Sequence, residues 1–139
     1  MIPSFKPGIV SSNQIRAASG PDVTPNAVNW TDAEGYCLSV TSNTQTISGI
    51  NTTIDLIVTW THSGSGTALI SQYSKNGGAF TTFTSGTTIN MANNDTLQFN
   101  MAKPAATFYG LESRTFTVKN SSDGNVTLDT FILSTICDP

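Results

Sequence analysis

The run at residues 53–62 constrains the fold more than any other part of the chain. Ile54, Leu56, Val58 and Trp60 fall in one phase and Asp55, Thr59 and Thr61 in the other, with Ile57 the exception. Strand side chains point alternately to opposite faces, so a period of two marks a half-buried strand. Trp60 is thereby the candidate for a central core tryptophan. No segment of any length carries the three-and-four spacing of a helix.

Turn signals divide the rest into similar short runs. Strands are expected over 27–31, 44–48, 53–62, 68–74, 79–83, 96–101, 114–119 and 125–136. Lys75-Asn76-Gly77-Gly78 predicts a tight hairpin, because Asn-Gly accepts positive φ at both central positions. Ser121-Ser122-Asp123-Gly124 is a second hairpin signal. In the last strand the apolar set is Val126, Leu128, Phe131, Leu133 and Ile136. Its phase shifts after Leu128, which predicts a bulge near Asp129-Thr130. Hairpins mixed with longer crossings predict an all-β, immunoglobulin-like Greek-key β-sandwich over residues 26–139, preceded by an extended N-terminal arm.

Composition narrows the function classes. Thr, Ser and Asn supply 50 of 139 residues, and charged residues only 11%, less than half the usual share. Six Lys and Arg, scattered singly at a net charge of −3, leave no basic footprint for nucleic acid. No run approaches the ~18 apolar residues of a membrane span. The start lacks a basic stretch followed by ~7–15 apolar residues, so no signal peptide is expected. Synthesis in a host cytoplasm combined with the composition of an exposed surface suits a viral structural protein, and the expected location is the virion.

Residues 1–25 hold four of the six prolines and have no period, which reads as an extended arm. Ile2, Phe5, Ile9, Val10 and Ile15 are its candidate anchors on a partner, since a purely solvating tail is poorer in Ile and Phe. Cys37 and Cys137 are too few for a disulfide framework and fit no zinc spacing. They are either two small buried or half-buried thiols or one bridge between the start of the domain and its last strand. Sequons at Asn29, Asn51, Asn94, Asn120 and Asn125 are expected to be unused without export.

Several segments resemble a known repeat. Residues 21–32, from Pro21-Asp22-Val23-Thr24-Pro25 to Trp30-Thr31-Asp32, look like the opening of an immunoglobulin-like repeat of bacterial surface and phage virion proteins. Residues 42–51 resemble its second strand, and Tyr73 to Phe80 its central hairpin. Asn94-Asp95-Thr96-Leu97-Gln98-Phe99 and Arg114-Thr115-Phe116-Thr117-Val118 resemble its later strands. The likeness spans about residues 21–135 and implies a fold and a setting, not a chemistry. One copy with an arm and no export signal is similar to a phage capsid decoration (cement) protein.

Catalytic and metal sites are not expected. His62 is the only histidine, expected to be exposed or half-exposed, and no Gly-x-Ser-x-Gly elbow accompanies it. Most of the nine acids sit at turns or termini, where short carboxylates satisfy the backbone. Asp32 and Glu34 come nearest to a cation site, without EF-hand spacing. No cofactor motif is present. Phe108-Tyr109, in the Pro104–Gly110 loop, is the candidate exposed contact pair. The expected function is a non-enzymatic virion protein that decorates a capsid. Its expected partners are the major capsid protein or another virion protein, and copies of itself in a dimer or trimer. The alternative is a tail or baseplate module that binds a receptor or glycan.

Overall fold

The computed structural model describes residues 20–64, 69–103 and 110–137. The arm anchors Ile2, Phe5, Ile9, Val10 and Ile15, and the pair Phe108-Tyr109, lie outside these residues. The fold is all-β: two sheets face each other as a sandwich. The strands are β1 (Ala33–Tyr36), β2 (Val40–Thr41), β3 (Gln45–Thr46), β4 (Ile54–Ser63), β5 (Ile70–Lys75), β6 (Thr81–Thr82), β7 (Thr87–Met91), β8 (Thr96–Ala102), β9 (Gly110–Asn120) and β10 (Val126–Cys137). One sheet has the order β1-β10-β9-β4-β7. The other runs β2-β8-β5-β6, with β3 also paired to β8.

Period two sets the inward faces. β4 buries Ile54, Leu56 and Val58, β9 buries Phe116 and Val118, and β10 buries Phe131, Leu133 and Cys137. Phe116 and Phe131 stack with centroids 5.2 Å apart, and Phe99 from the facing sheet lies 5.4 Å from Phe131. The Asn76-Gly77 turn has φ of 56° and 73°, the left-handed geometry a type I′ turn demands. It joins β5 to β6 with Tyr73 opposite Thr81. The bulge of the last strand is a register shift between Thr127 and Asp129. Ser121–Asp123 forms a 3₁₀ turn, and Gly124 and Asn125 then take positive φ.

Three expectations are corrected. The central tryptophan is Trp30, 1% exposed, not Trp60, which lies only half-buried at the end of the inward row of β4. Trp30 meets Phe99 edge-on at 5.4 Å. Residues 27–31 form no strand. Side chains replace a ladder there: Asn29 N donates to Gln45 Oε1, Trp30 N to Asp129 Oδ2 and Thr31 N to Asn43 Oδ1. Finally, Ile136 faces outward, because the phase after the bulge buries Phe131, Leu133, Thr135 and Cys137. β1, β2 and β7 had no expected counterpart.

Residues 20–25 sit at the turn end of the sandwich. Asp22 N donates to Asn51 Oδ1 at 2.6 Å, Thr24 Oγ1 to Asp123 Oδ2 at 3.2 Å, and Asn120 Nδ2 to Val23 O at 2.7 Å.

Candidate functional site

The opposite end of the first sheet carries an exposed apolar face. β1 runs parallel to β10 with Glu34 beside Ser134 and Tyr36 beside Ile136. β9 continues the row, with Leu111 opposite Ile136. Residues paired across strands share a face, so Tyr36, Ile136 and Leu111 form one apolar row. They are 58%, 40% and 52% exposed. Leu38, in the turn after β1, and Ile132, four residues before Ile136, are exposed as well. A depression of about 400 Å³ adjoins the row, lined by Asp32, Ala33, Glu34, Ile132 and Ser134. Asp32 Oδ1 accepts from Ile132 N at 2.8 Å, which fixes that carboxylate at the strand edge.

A disulfide holds this corner. Cys37 and Cys137 are joined, with Cα atoms 4.6 Å apart and a sequence separation of 100. On the chain-entropy model, closing such a loop stabilises the fold by about 4–5 kcal/mol. Cys37 N also donates to Ile136 O at 2.9 Å, and Leu38 N to Thr135 Oγ1 at 3.1 Å. The row therefore sits on a strand pair fixed by a covalent bond and by backbone hydrogen bonds.

A second polar feature lies inside the sandwich at the same end. β9 turns Glu112 and Arg114 inward, 0% and 7% exposed. His62 Nε2 lies 2.8 Å from Glu112 Oε1. Arg114 Nε donates to His62 Nδ1 at 3.4 Å and its Nη1 to Ser71 Oγ at 2.8 Å. A guanidinium only donates, so Nδ1 is the acceptor and the imidazole proton sits on Nε2, facing the carboxylate. Arg114 also covers the Trp60 ring at 3.9 Å. Burial pushes the Arg114 guanidinium below its usual pKa. Gly64, at φ +134°, passes so close that a Cβ there would lie 2.5 Å from Glu112 Oε2. His62 is half-buried and paired, and Glu112 is a mid-strand acid fully inside, unlike the acids at turns. Glu112 and Ser71 are thus buried members of a polar cluster that His62 brings toward the surface.

The structure thus brings Cys37 and Cys137 together and sets Asp32 and Glu34 on the wall of one depression. Among the described residues, no group of three His, Cys, Asp or Glu side chains is placed to hold a metal ion. Of the sequons, Asn120 is buried, whereas Asn29, Asn94 and Asn125 are exposed. Sequence reasoning missed the apolar row. Its signal was the odd phase of Ile132 and Ile136 against Phe131 and Leu133.

No family model matches the chain, and no curated protein matches it. Among solved structures, the N-terminal domain of PorA is similar at a TM-score of 0.42 and 14% identity, over 82% of this chain and 89% of that one. A family 123 glycoside hydrolase from Clostridium perfringens is similar at 0.46 and 14% identity, over 79% of this chain and 23% of the hydrolase. The CFA/I adhesin CfaE of enterotoxigenic E. coli is similar at 0.37 and 9% identity, over 78% of this chain and 46% of the adhesin. Likenesses this distant carry no argument about function.

Proposed function

We propose that the chain is a non-enzymatic structural protein of a phage virion, a capsid decoration protein built on an immunoglobulin-like Greek-key sandwich. The exposed apolar row of Tyr36, Ile136 and Leu111 carries the reading. Exposed apolar clusters mark contact surfaces, and this one stands on a disulfide-fixed strand pair. Few charges on the surface allow many copies to pack closely without strong repulsion. A disulfide persists in an oxidising medium, as a particle meets after release. β4, β9 and β10 lie side by side with β1 parallel to the last strand, which supports the immunoglobulin-like assignment. The major capsid protein is the proposed partner, with Ile2, Phe5, Ile9, Val10 and Ile15 as the arm's contacts. The burial of Glu112 and Ser71 supports a role without catalysis.

Quantitative mass spectrometry of purified particles tests the reading. Hundreds of copies per particle are expected, and Leu111→Ser/Ile136→Ser should lower the number retained by at least about tenfold. Absence from particles overturns the virion role. A second reading, a glycan-binding module, is favoured by Asp32, Glu34 and Ser134 lining a depression beside exposed Tyr36. Retention of a glycan by the purified chain, lost in Tyr36→Ala, would establish it.

A further inference from the structure

We infer that the apolar row is the seat of the chain's own residues 1–19, bound in cis when no partner is present. Charge is the first ground. Residues 1–19 carry Lys6 and Arg16 and no acid, whereas residues 20–139 carry four basic against nine acidic side chains, net −5. Two of those acids, Asp32 and Glu34, line the depression adjoining the row. Opposite charges attract, at a strength that salt reduces.

Apolar complementarity is the second ground. Ile9 and Val10 are adjacent apolar residues among Pro, Gly and polar neighbours. Tyr36, Leu111 and Ile136 offer apolar surface that water covers poorly. Reach is the third. Asp22 and Thr24 are bonded to Asn51 and Asp123, so the chain enters the sandwich at the turn end. The row lies near the other end of β10. From Val126 to Ile136 a strand climbs about 33 Å at ~3.3 Å per residue. The ten or eleven residues that separate Val10 and Ile9 from Gly20 have a contour length of about 33–40 Å, enough to cover that distance. A covalent tether that reaches the row makes the contact independent of chain concentration, which distinguishes cis seating from capture by a second copy.

The inference concerns the isolated chain, so its test is independent of the virion reading. The full chain, with isoleucine, leucine and valine methyl groups labelled, is measured by NMR. Contacts from Ile9 and Val10 to Ile136 and Leu111 are expected, unchanged on about tenfold dilution. In Ile9→Ser/Val10→Ser, whose substitutions lie outside the sandwich, those contacts vanish and the Ile132 and Ile136 methyl signals shift. Added salt moves the wild-type signals toward the variant positions. Identical Ile132 and Ile136 signals in the two proteins overturn the inference. Contacts that fade on dilution overturn the cis seat, because they report exchange between copies.

Discussion

The two ends of the sandwich close in opposite ways. At the turn end Trp30 seals the core with carbon, and its polar atoms reach partners directly: Nε1 donates to Leu97 O at 2.9 Å and the backbone N to Asp129 at 2.6 Å. At the other end Trp60 stops short of the core. Arg114 lies on its ring, and its Nε1 is buried with no hydrogen-bond partner among the described residues. One tryptophan is a wedge between sheets and the other a platform under a buried cation. Position decides between them. Trp30 sits where β8 and the bulge of β10 supply acceptors, whereas Trp60 sits opposite Phe116, two positions beyond Val58, the last fully buried residue of β4.

The most severe break of this contrast is Trp30→Ala. Emptying a fully buried indole site costs about 3–5 kcal/mol, enough to unfold many domains of this size. Trp60→Phe removes an unpartnered indole nitrogen and part of a half-buried ring while keeping an aromatic face under Arg114, and is expected to cost only about 1 kcal/mol. Urea unfolding followed by circular dichroism separates the two. Equal losses would show that both tryptophans seal the core alike.

The polar end is sharpened by a double substitution. Glu112→Leu leaves the Arg114 guanidinium buried with His62 and no carboxylate behind it, at a cost of about 3 kcal/mol or more. Glu112→Leu/Arg114→Met replaces both charges by apolar side chains and should recover most of that loss. The urea midpoints of wild type, both single variants and the double variant test this. If the two single losses simply add, His62 does not couple Glu112 to Arg114.

Much of this contrast was hidden from the sequence, for physical reasons. β4 and the Asn76-Gly77 hairpin were legible because their determinants are local: alternation in one, positive φ in the other. Trp30 was not, since its segment forms no ladder and is held by side chains of Asn43, Gln45 and Asp129 from distant parts of the chain. A pattern rule therefore chose Trp60, which does lie in a strand. Glu112 and Arg114 share the inward phase of Phe116 and Val118, yet charged residues in that phase read as the end of a strand. Of the candidate face, the cysteine pair was legible as one of two readings. The exposed row was not, because it is assembled from three strands by the pairing of Tyr36 and Leu111 with Ile136, which no local pattern reveals.

The smallest effect belongs to Asp95, on the turn side. Its pKa lies below the ordinary 3.8 when the chain is folded. The largest cause is the Ala92 N–H, which donates to Oδ2 at 2.7 Å. The Asn76 amide follows at 3.0 Å, and Lys75 adds attraction at 3.6 Å. A carboxylate whose folded pKa is depressed contributes stability above its unfolded value and loses it as pH falls through the folded value. Asp95→Asn should therefore be less stable than wild type near neutral pH, by under about 1 kcal/mol at so accessible a site. The difference should shrink as pH drops below 3.8 and vanish once Asp95 is protonated in the folded chain. Urea midpoints of the two proteins across that range measure it. A gap that persists in strong acid would assign the loss to the shape of the turn instead of its charge. Such a result would set the turn end apart from the other, where Glu112 and Arg114 are buried inside the sandwich.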